Sequence, residues 1–200
     1  MDYAGCAAAA ARVSENDGME PTVLFVPGLR GSGPAHWQSL WLAKHPEYRR
    51  VLQHDWLAPR LEDWAAAING AIRAARPCFV VAHGFGCVAT LARFAEQSSG
   101  VAGALLVAPR DPAQFGLELE ELALPTTLVA SRNDSDMAFR DAARMARRLG
   151  SRFVDAGEAG HIDAASGYGP WPRGERLLQR LIAKAQARER ELRIALALAA

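Results

Sequence analysis

The stretch Cys78-Phe79-Val80-Val81-Ala82-His83-Gly84-Phe85-Gly86-Cys87 carries an apolar run into a glycine-bounded turn. Five apolar residues without polar alternation are the pattern of a short strand buried on both faces. Glycines at 84 and 86 bracket a sharp reversal, since glycine alone tolerates either sign of φ at no steric cost. Residues from about 87 to 95 then continue as a helix. Strand, tight turn and helix in this order form the repeating unit of a parallel sheet.

The same alternation extends in both directions from this unit. TVLFV (22–26) is a second buried strand, stopped by Pro27-Gly28. Residues 36–45 place Trp37, Leu40, Trp41 and Ala43 at helical spacing, and 50–53 is a short strand candidate. Residues 61–75 form a helix on the stripe Trp64, Ala67, Ile68 and Ile72. Strands follow at 103–108, 126–131 and 151–155, with helices at about 137–149 and after Pro172. The expected fold is α/β: a three-layer sandwich, a mostly parallel sheet with helices on both faces. Residues 21–185 make one such domain. Residues 1–20, alanine-rich and then polar, are expected to be a disordered leader, and 186–200 a C-terminal helical extension with a solvated tail.

Composition excludes several function classes. The chain has 200 residues and a formal net charge of +1, which gives no general electrostatic attraction for nucleic acid or anionic lipid. No apolar run reaches the ~20 residues that span a bilayer, and the N-terminal segment lacks the charge pattern of a secretory signal. Cys6, Cys78 and Cys87 are an odd number without zinc-ligand spacing, so neither a disulfide framework nor a metal site is expected. The expectation is a cytoplasmic protein that uses no cofactor and has no nucleic-acid or membrane partner.

Ligands of open parallel sheets bind beyond the carboxyl ends of the strands. The segments there are PGLRGSGPAHW, HDW, HGFGC, PRD, RNDSD and AGEAGHID. A tight turn at the middle strand, followed late in the chain by acids and a histidine, is the layout of an α/β-hydrolase, whose chain order is nucleophile, acid, histidine. The turn itself departs from the pattern. The apex of such an elbow carries a serine, cysteine or aspartate, and here the apex is Gly84.

These segments also resemble a family. LFVPGLRGSGPAHWQSLW, QHDWLAP, VVAHGFGC, GALLVAP, ASRND and AGHIDAASGYGPWPRG, spread in order over 22–182, are similar to the retinoblastoma-binding-protein-nine-like and YdeN-like serine hydrolases. The resemblance implies a small α/β-hydrolase without a lid or cofactor, cleaving small carboxylic esters or amides through a Ser-Asp-His triad. The family's elbow has serine where this chain has Gly84. Its acid matches Asp134 and its base His161. Ser135 and Asp163 stand where the family usually has proline and asparagine.

On this reading His161 is the general base, and Asp134 fixes its tautomer. Asp111 and Asp136 compete for the acid's role, Asp134 being favoured by the resemblance. The oxyanion hole falls to the backbone N–H groups of Phe85 and of Leu29 or Arg30. Arg30, His36, Trp37 and Trp171 are candidates for the substrate pocket, though the tryptophans fit a packing role equally well. The arginines at 140, 144, 147 and 148 suit a solvated face at a helix C-terminus.

Three functional readings stay open. The first is a hydrolase scaffold inactivated at Gly84; the second is a pseudoenzyme that binds an ester, amide, carboxylate or protein partner. The third is a hydrolase using water or Cys87. Gly84-x-Gly86-x-x-Ala89 also fits a dinucleotide fingerprint, but no acid ends the next strand where that motif needs one.

Overall fold

The computed structural model describes residues 22–199, so the whole 1–20 leader, Cys6 included, lies outside the described part, as does Ala200. Six strands form one sheet: β1 (Thr22–Val26), β2 (Arg49–Arg50), β3 (Cys78–His83), β4 (Val101–Val107), β5 (Thr126–Ala130) and β6 (Arg152–Asp155). Their order is β2-β1-β3-β4-β5-β6, and every neighbouring pair is parallel. Five helices connect or close them: α1 (Trp37–Lys44), α2 (Leu61–Ala75), α3 (Phe85–Glu96), α4 (Phe139–Arg148) and α5 (Pro172–Ala199). A short 3₁₀ turn, Pro112–Phe115, follows β4.

The layers follow from the period of two along each strand. Leu24, Val26, Val80, Ala82, Leu106 and Leu128 point to one face and pack with residues of α2, α3 and α4. Val23, Phe25, Phe79, Val81, Leu105 and Val129 point to the other and pack with α1 and α5. Both faces are thus covered, which is why β3 is buried along its whole length and reads in sequence as a continuous apolar run.

Two expectations need correction. The strand placed at 50–53 is only Arg49–Arg50, paired with Leu24 and Phe25. The chain leaves the sheet at Val51, whose N–H still donates to Phe25 O. It is an edge strand, and Arg50 is held not by apolar packing but by donating to Ser32 O and Ser39 Oγ. The helix expected to start at Cys87 starts at Phe85, directly after the turn. As for the tail, α5 is buried at Leu177, Leu178, Leu181, Ile182 and Ala185, then continues as exposed helix to Ala199.

β1 leads to β2 on one side, and β3 continues the sheet on the other, so the order reverses between β1 and β3. The crevice at such a switch point is where open α/β sheets bind ligands. Packing here is close. A Cβ on Gly86 would lie 2.5 Å from Pro27 O and 2.6 Å from Val26 O, so α3 meets β1 backbone against backbone. Gly86→Ala should therefore destabilise the fold by about 3 kcal/mol, the upper range for an overpacked core. Urea unfolding checks this, and an unchanged midpoint would mean that the helix can slide away from β1.

Candidate active site

The turn after β3 is the geometric centre of the site. Gly84 has φ 54 and ψ −125, a region that L side chains enter only under strain. Its N–H donates to Val107 O, and its carbonyl accepts from Cys87 N, so the turn is tied to β4 and to the helix it starts. A Cβ at this position would lie 3.1 Å from His161 Nε2.

His161 comes from the loop after β6. Its Nδ1 lies 3.0 Å from Asp134 Oδ1 and 3.1 Å from Oδ2. The Asp134 side chain, on the loop after β5, is only 3% exposed. It also accepts from Asp136 N at 2.9 Å, which fixes the carboxylate. With Nδ1–H donating to Asp134, Nε2 is the nitrogen left to act on Gly84's side of the cavity. Burial alone would lower the His161 pKa. The hydrogen bond from Nδ1 and the charges of Asp134, Asp136 and Asp163 outweigh burial and hold it above the ordinary value.

Polar residues of the surrounding loops build this arrangement. Ser32 Oγ donates to Gln38 Oε1, and buried Gln38 donates in turn to Val26 O and Val81 O, clamping the 27–38 loop onto the ends of β1 and β3. Trp37 Nε1 donates to Ile162 O and Trp41 Nε1 to Pro170 O, so α1 carries the His161 loop. Gly160 N donates to Asn133 Oδ1, and His161 N to Ser166 Oγ. Asp163 accepts from both N and Oγ of Ser166. Non-glycine residues with positive φ cluster around the site, namely Arg30 at 66°, Ala108 at 45° and Ile162 at 50°. For a β-branched residue such as Ile162 this is a strained backbone, of the kind that accumulates at functional sites.

A cavity of about 440 Å³ opens here, lined by Gly28, Leu29, Arg30, Gly31, His36, His83, Gly84, Phe85, Arg110, Asp136, His161 and Asp163. Among the expected pocket residues, Arg30 and His36 line it. Trp37 and Trp171 do not: both are buried in the α1–α5 core, ring centroids 5.0 Å apart. Of the acids competing with Asp134, Asp111 caps the 3₁₀ turn through Ala113 N and lies outside the cavity. Asp136 does line it. Its Oδ2 is 3.8 Å from His161 Nε2 and 3.0 Å from Arg110 Nε, a charge pair without an aligned hydrogen bond.

Arg110, Asp163 and His83 were not expected as cavity residues. Arg110 and Asp163 lie in segments that follow strands, as the site's other residues do, and that position was the available signal. His83 is buried and donates through Nε2 to His161 O at 2.9 Å, supporting the His161 loop.

Asp134, Asp136 and His161 also have ligand atoms within 4.8 Å of one another, the spacing of a metal site among the described residues. Asp134 is already bonded to His161 Nδ1, and Asp136 Oδ2 faces Arg110. Cys87 is fully buried, its Sγ donating to Val107 O at 3.4 Å, and burial pushes the thiol pKa far up. That environment is the opposite of a reactive cysteine's. As for the dinucleotide-like glycines, the space beside Gly86 is filled by β1 carbonyls, so its lack of a side chain serves helix–strand contact.

The sheet, the switch-point crevice and the strained turn define an α/β-hydrolase fold. The chain belongs to the serine hydrolase family, whose model matches residues 23–180. A structure from Pectobacterium atrosepticum assigned as a YdeN-like hydrolase is 36% identical, with a TM-score of 0.77 over 84% of this chain and 92% of that one. The ydeN gene product of Bacillus subtilis shares the fold at 20% identity and a TM-score of 0.69, covering 82% of this chain and all of that one. Est1E of Butyrivibrio proteoclasticus, solved with ferulic acid bound, shares it at 9% identity and a TM-score of 0.64, covering 84% and 92% of the two chains. No curated protein matches the chain. Among the described residues no helix is long and apolar enough to cross a membrane.

Proposed function

We propose that this chain binds a small ester, amide or carboxylate in the cavity above Gly84 and does not process it through a covalent intermediate. The observation that carries the reading is the pairing of an intact Asp134–His161 couple with an elbow apex that has no side chain, 3.1 Å from His161 Nε2 to the missing Cβ. Acyl transfer in this family needs an alkoxide at that apex, formed as the histidine takes the serine's proton. Here His161 has a base's position and no proton donor at the apex to act on.

The rest of the machinery would serve binding. Leu29 and Phe85 line the cavity, and neither N–H is drawn into the loop and cap hydrogen bonds that use Arg30, Gly31 and Cys87. Two backbone donors beside Arg30 suit a carbonyl or carboxylate oxygen, Arg110 being paired with Asp136. Ferulic acid, the ligand held by Est1E, belongs to that chemical class.

A fluorophosphonate should leave the intact mass of this chain unchanged, while a short carboxylate ester should raise its melting temperature saturably. Residual ester turnover should stay within roughly 10³-fold of the rate in water, the level left to a site that lacks its nucleophile. An adduct on the unaltered chain would overturn the reading, and peptide mapping would then identify another nucleophile.

A further inference from the structure

At the opposite end of the same helix layer, α2 and α3 leave a second cavity of about 250 Å³. It is lined by Asn69, Ile72, Arg73, Arg76, Arg93, Gln97 and Ser99. Three are arginines and none is acidic. Arg73 lies in the last turn of α2, Arg76 caps that helix, Arg93 lies in the last turn of α3, and Gln97 caps it. Helix C-termini attract cations, which accounts for arginines in this neighbourhood. It does not account for the state of Arg93.

Arg93 is 3% exposed. Its Nε donates to Asn69 Oδ1 at 2.8 Å, while its buried Nη1 has no hydrogen-bond partner. A buried guanidinium is ordinarily matched by a carboxylate or a full set of acceptors, because burying an unpaired charge is costly. Neither Arg73 nor Arg76 forms an ion pair among the described residues, so three like charges face one small polar cavity without a counter-charge. Asn69, with Oδ1 committed to Arg93, keeps its amide nitrogen as a donor. Gln97 and Ser99 add further polar groups at the rim.

We propose that this cavity is an anion site for a phosphate group, free or carried on a small molecule, separate from the cavity beside His161. Several guanidinium donors arranged around one pocket match a tetrahedral oxyanion, which accepts several charge-assisted hydrogen bonds at once. Arg93 lies two and a half turns along α3 from Gly84, about 13 Å. A ligand here cannot touch the reacting atoms, but the helix joining the sites begins at the elbow.

Isothermal titration of the full chain with pyrophosphate and inorganic phosphate, at constant ionic strength in chloride, tests the assignment. Saturable binding of one equivalent is expected, and Arg73→Gln/Arg76→Gln should weaken it by about tenfold or more, since two charge-assisted contacts are lost. Both side chains are exposed, so this variant should keep its melting temperature, and His161→Ala should leave phosphate binding as it was. Absence of saturable binding overturns the proposal, and so does an unchanged Kd in the double variant. Association with phosphatidic acid vesicles without binding of soluble phosphate overturns it too, by moving the interaction to a membrane surface.

Discussion

Gly84→Ser should convert this chain into a protein that takes one fluorophosphonate adduct, located on residue 84, and should raise ester turnover by at least about 10³-fold against a ceiling on the order of 10⁶. The ceiling is what nucleophile removal costs in a complete triad. The lower figure reflects geometry. With its Cβ 3.1 Å from His161 Nε2, a serine at this apex is slightly too close for a well-angled Oγ–H···N bond. The imidazole must draw back by a few tenths of an ångström, while its other nitrogen is held by both oxygens of a buried Asp134. Turnover in the variant should rise with pH through a pKa above the ordinary histidine value, because only neutral His161 can accept the proton and its acidic neighbours hold it charged. Adding His161→Ala should return the variant to the starting rate. An unreactive Gly84→Ser protein that folds normally would show that the cavity does not admit the probe or that the backbone donors are misplaced.

The same substitution should cost stability. At φ 54 and ψ −125 any Cβ is strained, and such residues cost about 1–3 kcal/mol each. Glycine relieves that strain and so stabilises the turn while leaving the chemistry vacant. Activity and stability should therefore move in opposite directions at this one residue, the trade-off expected where a fold stores strain at its site. Urea unfolding of the two proteins side by side would measure it.

Most of the architecture was legible in the sequence because the strands are buried on both faces. β3 and β4 appear as largely apolar runs, β1 and β5 as β-branched runs that open on threonine, and α2 as a stripe from Trp64 to Ile72. β2, expected at 50–53, overlaps the observed strand only at Arg50, because Arg49 and Arg50 carry no apolar signal and Arg50 is held by Ser32 O of the loop after β1. The Asp134–His161 couple was legible through strand ends and family resemblance together. Trp37 and Trp171 were assigned to the cavity because they adjoin it in sequence. In space their rings turn into the α1–α5 core, where stacking with Trp41 buries more apolar surface than a solvent-facing cavity could. The arginine cavity had no linear signature at all, since Arg73, Arg76 and Arg93 are brought together only by the packing of α2 on α3.

Unfolding free energy should fall as pH falls from 6.5 to about 5, more steeply than surface carboxylates can explain. Burial holds the His36 pKa at about 4 and that of His83 at about 3, with neighbouring positive groups adding to the depression. In the unfolded chain both titrate near 6.5. Between those values the unfolded state binds protons that the native state refuses. Each histidine then contributes a slope of up to ~1.4 kcal/mol per pH unit, with stability complete above 6.5 and lost below it. His161 has the opposite sign. Its raised folded pKa gives a contribution that is complete below 6.5 and lost as pH rises through the raised value, so it adds no slope in this window. His36 Nδ1 accepts from Gln38 N, a role open only to a neutral ring, whereas burial keeps His83 neutral against the bond that its Nε2 donates to His161 O. Urea titrations at pH 6.5 and 5.0 should differ by about 3 kcal/mol, the sum of the two slopes with some relaxation allowed. His36→Asn, which keeps a helix N-cap acceptor, should remove close to half of that difference. If it leaves the slope intact, the acid sensitivity belongs to other groups, and the native protein tolerates a charged imidazole beside the cavity.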